Sequence, residues 1–339
     1  MKFSVGYFPG CRQVIEENRE KISEIYFAYG GFANGRTAAV PTNEAYVLEQ
    51  TETLRALSKE GIRTNLLLNG TCYGAEALSR KLFESIGDTV EELRQNVALS
   101  GVTTTSPLIA RFIKENFPDV LTRASVNMNI GSVCGMEYVG DLFDEFYLSR
   151  DENRNIGAIR AARAWCDEHG KKLFGLANSG CLLHCSAHTF HDNLVSHERE
   201  AMTMDNGYDF SGQCRVYLAK TENRAGWIRH TTWIRPEDVP LYEGLFDGLK
   251  LATRVHADPG RVIRAYVQGH AGGSLPGLME PDHSALFYPT VLENALLPAD
   301  FGKTLLYCDK NCAACGYCDR VQAAATVSLT ENKGGIFSC

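Results

Sequence analysis

No run of this chain approaches the ~20 consecutive apolar residues that a membrane-crossing helix needs, so membrane insertion is not expected. The N-terminal Met-Lys-Phe-Ser-Val-Gly-Tyr-Phe has one charge and a short strand-like run, without the apolar core or small-residue cleavage site of a secretory signal. A cytoplasmic location is the expectation. Positive charge is scarce as well: 34 Lys and Arg against 41 Asp and Glu leave a net charge of −7. That balance disfavours a broad polyanion-binding surface but leaves room for a local basic groove. No G-x-G-x-x-G follows the first strand-like run, which counts against a dinucleotide-binding sheet. No H-E-x-x-H is present, nor a Ser-His-Asp pattern, a papain-like cysteine signature or G-x-S-x-G, and the corresponding hydrolase classes lose their support. Internal repeats and low-complexity segments are also missing.

What the chain does have is cysteine. Twelve are present, and without an export signal they point away from a disulfide framework and towards metal or redox chemistry. Seven of the twelve fall in two clusters, Cys181, Cys185 and Cys214 in one and Cys308, Cys312, Cys315 and Cys318 in the other. The remaining composition, 44% hydrophobic and 22% charged, is that of an ordinary globular protein. At 339 residues the length suits either two average domains or one α/β barrel.

Along the chain, strand-like runs alternate with helical ones. Strands are predicted at residues 3–8, 24–29, 64–69, 101–105, 122–129, 145–148, around Leu173, at 228–234 and at 248–252, with helices at 13–21, 43–60, 90–96, 109–116, 136–142, 156–169 and 259–268. Asn43 is the expected cap of its helix, and Pro236 opens a short one. Such alternation requires parallel pairing with right-handed crossovers, and about eight units close a (β/α)8 TIM-like barrel. A doubly wound open sheet satisfies the same pattern; the unit count favours the barrel. The predicted organisation is a barrel domain over 1–270, with a cysteine-rich insert at about 179–227, and a cysteine-rich C-terminal extension over 271–339, including a strand at 304–307.

The tail motif Cys308-x3-Cys312-x2-Cys315-x2-Cys318 brings four thiols together within eleven residues. Its C-x2-C-x2-C core is a spacing at which successive thiolates wrap a [4Fe–4S] cubane, whereas structural zinc usually takes two knuckles set a dozen or more residues apart. Zinc remains the competitor. The other cluster has three thiols; a fourth ligand could come from Cys72 or Cys134, each following a strand, or His184, His188 and His191 could complete a zinc site from one side of a helix. Alternatively, those histidines bind an anionic substrate or move protons, and His197 stands off their pattern. Near other strand ends lie Arg36, Asn69, Asn127, Asn129, Arg150 and Arg254. Around the C-terminal mouth of a barrel, the three arginines would suit a carboxylate or phosphate.

These segments resemble the peptidase U32 family, also called collagenase-like proteases. Ile25-Tyr-Phe-Ala with Phe32 and Arg36 is similar to the family's D-A-V-Y-x-G…F…R segment, and Leu66-Leu-Leu-Asn69 to its strand ending in Asn. Arg123-Ala-Ser-Val-Asn127-Met-Asn129 resembles S-T-Q-x-N, and Phe146-Tyr-Leu-Ser-Arg150 resembles L-A-R-E with Asp151 in place of Glu. Ala177-Asn-Ser-Gly180-Cys181 stands where H-G-x-x-C is usual, and Gly248-Leu-Lys-Leu-Ala-Thr-Arg254 where F-K-I-E-G-R is usual. The likeness spans about residues 1–270. It implies a barrel-like catalytic domain and, as in several members, a [4Fe–4S] cluster around the motif matched by Cys181, supporting oxygen-independent hydroxylation of RNA bases or of the ubiquinone ring. The older peptidase label covers the rest.

The expected function is therefore an iron–sulfur enzyme performing oxygen-independent hydroxylation or a related redox step on a small aromatic molecule or an RNA base. Arg150, His184 and His188 are the candidate catalytic residues, Arg36, Asn69, Asn127 and Arg254 the candidate substrate-binding ones, and the seven clustered cysteines the ligands of one cluster or two. A U32-type peptidase is the alternative from the same fold. A noncatalytic iron–sulfur subunit paired with a homologous partner is the alternative from another class.

Overall fold

The structure, a computed structural model, describes residues 1–35 and 41–329. Eight short strands form a closed parallel barrel in sequence order. They are β1 (Phe3–Gly6), β2 (Ile22–Phe27), β3 (Arg63–Leu68), β4 (Gly101–Thr104), β5 (Leu121–Ala124), β6 (Glu145–Tyr147), β7 (Lys172–Leu176) and β8 (Gly248–Leu251). Closure comes from β8 pairing with β1, where Phe3 faces Leu249 and Val5 faces Leu251. Strands this short and apolar can bury both faces, which a parallel sheet wrapped in helices demands. The (β/α)8 expectation holds; the open sheet does not.

Helices fill the gaps as their patterns require. Asn43 does cap the helix Glu44–Lys59, its side chain accepting from the Tyr46 amide at 3.0 Å. The helix expected over 90–96 is much longer, Arg80–Val97: Ser79 caps it, and Ile86, Val90, Leu93 and Val97 form one buried stripe at helical spacing. Its charged first turns hid that start.

Two strand expectations are corrected. Residues 228–234 form no strand; Trp227, Ile228, Trp233 and Ile234 are buried in a turning segment. Carbonyls of Ile228, Thr231 and Trp233 there accept from the Arg154 guanidinium instead of from a neighbouring strand. The strand expected at 304–307 lies instead largely in the helix Phe301–Leu306, because Phe301 and Leu305, four apart, share one buried face.

The extension is not a free appendage. A second hydrophobic core joins Leu218 and Trp227 of the insert, and Trp233 just after it, to Leu278, Phe287 and Phe301 further on. Trp233 stacks between Trp227 and Phe301 with ring centroids 5.4 and 5.7 Å away. This unit is stitched to the end of β7, where Glu280 N donates to Asn178 O at 2.8 Å and Gly180 N to Glu280 O at 2.9 Å. Any side chain at Gly180 would meet the Pro281 carbonyl, since a Cβ there would lie 2.2 Å from that oxygen. Glycine directly before Cys181 is thus a packing requirement.

Inside the barrel, Arg123 on β5 reaches across to Glu24 on β2 with two hydrogen bonds, of 2.5 and 2.7 Å. It also donates to Glu145 on β6 at 2.6 Å, and Arg63 on β3 closes the group at 3.0 Å from Glu145. This ionic plug belongs to the barrel interior and does not line the cavity at the strand ends.

Candidate functional site at the barrel mouth

A cavity of about 300 Å³ opens at the C-terminal ends of the strands, lined by Asn69, Asn127, Arg150, Lys250 and Arg254 and by residues of the insert. Barrel active sites form at this end because eight loops converge there on a rigid frame. The loop after β7 contributes Cys181 and Cys185, the helix His188–Ser196 contributes His188, His191 and Asp192, and Cys214 comes from the helix Gln213–Leu218. The three insert thiols expected to work together share this cavity. Burial pushes the Cys214 thiol up, and the neighbouring Cys181 and Cys185 push it further. Gly212 lies between Cys214 and His191: a Cβ there would sit 3.7 Å from one Sγ and 3.9 Å from the other's ring.

Arg150 organises this mouth. Its Nη1 donates to Cys181 Sγ at 3.2 Å and its Nη2 to Asn127 Oδ1 at 3.2 Å, while Thr232 holds its backbone carbonyl at 2.6 Å. Among the described residues nothing accepts from its buried Nε. Asn127 in turn donates to Asn69 O at 3.4 Å. His188 Nε2 lies 3.0 Å from Asp192 Oδ2. Burial alone would raise that carboxyl, but His188 and Arg150 together hold it below its ordinary value.

Other expected residues fall elsewhere. His184 precedes the helix, at a positive φ of 49°, and is largely exposed with Nδ1 3.2 Å from Asp151; it does not share a helical side with His188 and His191. Neither Cys72 nor Cys134 lines the mouth cavity, and Cys134 is exposed. Asn129 closes a short turn at φ 54°. Arg36 lies outside the described residues. The four tail thiols line a cavity of their own, of about 170 Å³. Among the described residues no three His, Cys, Asp or Glu side chains are gathered into a set that could hold a single metal ion.

Sequence reasoning missed two features. The first is Lys250 on β8, 7% exposed, with Nζ 4.0 Å from the Tyr26 ring centre. Burial first, then Arg254, Arg123 and Arg150, push its ammonium down to about 7. A lone lysine inside the apolar run Gly248-Leu-Lys-Leu-Ala252 was the available signal. The second is Cys72 with His197, 125 residues apart, for which the sequence carried none. A hydrogen bond from His197 lowers the Cys72 thiol, and that same bond, with Glu200 Oε2 3.0 Å from Nδ1, raises the imidazole.

Fold and mouth together define a (β/α)8-barrel protein with a thiol- and cation-lined site at its strand ends. No family model matches the chain. An uncharacterized protease of Methanocaldococcus jannaschii, MJ1657, is 24% identical over 339 residues, covering 96% of this chain and 95% of that protein. Among solved structures, the U32 peptidase Mk0906 superposes with a TM-score of 0.54 at 17% identity, covering 74% of this chain and 91% of that one. That structural likeness speaks to the barrel, and the curated relative extends over nearly the whole chain. The chain thus shares its barrel fold with a U32 peptidase and is similar over nearly its whole length to the archaeal protein. Among the described residues, no helix is long and apolar enough to cross a membrane.

Proposed function

We propose that the chain is an enzyme acting at the barrel mouth, where Cys181, Cys185 and Cys214 hold an iron–sulfur cluster. Its reaction is an oxygen-independent hydroxylation or related redox step on a small aromatic molecule or RNA base that carries negative charge. The observation carrying this reading is the meeting of three thiols with buried cations in one cavity, Arg150 lying directly on Cys181. The donor set fits a cluster: thiolates are its usual ligands, and the guanidinium hydrogen-bonded to sulfur is the kind of partner that tunes it. His191, which flanks Gly212 opposite Cys214, is the fourth ligand of this reading. When bound, the cluster would supply one-electron chemistry.

The chain's own residues do the rest. Arg150, through its unused Nε, and Arg254 and Lys250 bind the anionic group, with Asn127 accepting from Arg150 Nη2 and donating to the Asn69 carbonyl. His188, steadied by Asp192, holds or moves a proton at the cavity wall. Anaerobic purification with iron, sulfide and zinc measured together tests the reading. Cys181→Ala and Cys185→Ala should each lose iron relative to the wild type while circular dichroism stays unchanged. Unchanged iron in both variants, or zinc in place of iron, would overturn it.

A second reading, peptide hydrolysis, is favoured by one observation besides the names of the relatives. Cys72, His197 and Glu200 form a thiol–imidazole–carboxylate series in which the thiol is lowered and the imidazole raised. In it the Cys72 thiolate would attack the peptide carbonyl, His197 would protonate the leaving amine, and water would hydrolyse the thioester. Peptide cleavage that survives iron chelation and disappears in Cys72→Ala would establish this reading. Cleavage unaffected by Cys72→Ala would dismiss the series as its source.

A further inference from the structure

The second cysteine group lines a cavity that shares no residue with the one at the barrel mouth. We propose that Cys308, Cys312, Cys315 and Cys318 hold a [4Fe–4S] cluster of their own, charge-balanced by Arg154 and Lys310. This second cluster is independent of whatever the mouth binds.

Local structure sets the four sulfurs around one space. Cys308 follows the helix Phe301–Leu306, Cys312 and Cys315 begin and end a single helical turn, and Cys318 sits in the first turn of Tyr317–Ala325. Gly316, at φ 61°, makes the reversal between the last two segments. Lys310 is held at φ 64°, a left-handed conformation uncommon for a residue with a Cβ, and this aims its amide at Cys308 Sγ, 3.3 Å away. Amide donors turned towards sulfur in this way are a usual feature of cluster loops. All four thiols line the cavity of about 170 Å³.

Charge supplies the independent argument. Arg154 is 5% exposed, and its Nε, Nη1 and Nη2 donate to the carbonyls of Trp233, Ile228 and Thr231 at 2.8–3.1 Å. These acceptors are neutral. Lys310 Nζ donates at 2.5 Å to the carbonyl of Arg154 itself. Asp238, whose charge Arg154 feels, is already held by Arg235 at 2.7 Å, while Cys318 and Cys308 also lie within electrostatic reach of the guanidinium. Arg154 is a buried cation bonded only to carbonyls, which is costly without an anion nearby, and the exposed Lys310 adds a second positive charge at the same loop. Four neutral thiols offer Arg154 no opposing charge, whereas four thiolates around a cubane core would carry a net charge of about −2 within its reach.

The spacing of the four thiols prefers a cluster to zinc: C-x2-C-x2-C is a run along which successive thiolates wrap a cubane, whereas structural zinc usually takes two knuckles set a dozen or more residues apart.

The full-length protein, reconstituted anaerobically with iron and sulfide, provides the test. The double variant Cys312→Ser/Cys315→Ser should lose one cluster's iron, sulfide and visible absorption, while Cys181→Ser/Cys185→Ser keeps them. Lys310→Met should fold with wild-type iron content, and its cluster should be harder to reduce in a dithionite titration, because the anion grows on reduction and a nearby cation is gone. Wild-type iron and sulfide in the tail double variant would overturn the proposal, as would stoichiometric zinc there after iron was offered. An unshifted titration in Lys310→Met would remove the charge-balancing role.

Discussion

Lys250 shows how far burial among like charges can move one group. Its ammonium faces Arg254, Arg123 and Arg150, with Glu24 as the opposing charge and the Tyr26 and Tyr147 rings beside it. Because the folded-state value is near 7 against an ordinary 10.5, the unfolded chain holds more protons across that window. Stability therefore rises with pH from about 7 to 10.5, and the whole cost is borne below pH 7. Lys250→Met, close in shape and without charge, should be more stable than wild type at pH 7 by up to about 4 kcal/mol, taking roughly 1.4 kcal/mol per pKa unit. The gap should close as pH approaches 10. Urea unfolding at several pH values measures it; a gap that stays constant would mean that the buried charge is not its source.

Among elements, the barrel strands are tied by the ionic plug as well as by apolar packing. Arg123 stacks 4.3 Å over the Phe174 ring while bridging Glu24 and Glu145, so one side chain ties β2, β5, β6 and β7 together. Deleting it strands two buried carboxylates. Arg123→Ala should cost about 3–5 kcal/mol in denaturant unfolding, the usual penalty for breaking a buried pair from one side. A loss below about 1 kcal/mol would show that Arg63 and water replace it. The segment 150–154 is a second such element, since Arg150 lies on Cys181 and Arg154 lies near the tail thiols. Each cysteine group thus receives one guanidinium from the same short turn.

For the whole molecule, the boundary expected at residue 270 does not separate two independent cores. Trp227 of the insert and Trp233 just after it are covered by Leu278, Phe287 and Phe301, and the loop before Cys181 is held by Glu280 and Pro281. Ending the chain at residue 270 should expose both tryptophans and loosen the mouth. The expected result is aggregation, or loss of a cooperative melting transition followed by tryptophan fluorescence. A truncated chain melting cooperatively at the full-length temperature would show that the barrel domain is self-sufficient.

The sequence by itself determined the barrel, because short apolar strands alternating with amphipathic helices have few other ways to bury both strand faces. It also marked the tail thiols and the pair Cys181 and Cys185, since thiols close in sequence stay close in space, while the fold brought Cys214 to that pair. Asn69, Asn127, Arg150 and Arg254 were legible for a related reason: they sit at strand ends, and closure sends every such end to one mouth. Tertiary structure decided whatever depends on contacts between distant segments. Residues 228–234 read as a strand because composition cannot reveal that Arg154 takes their carbonyls. Lys250 acquired its depressed ammonium from burial inside the closed barrel, with Arg123 and Arg150 from other elements adding to it, and Cys72 met His197 across 125 residues. Local pattern fixes which face of an element is buried; what stands opposite that face is settled by packing between segments that share no sequence neighbourhood.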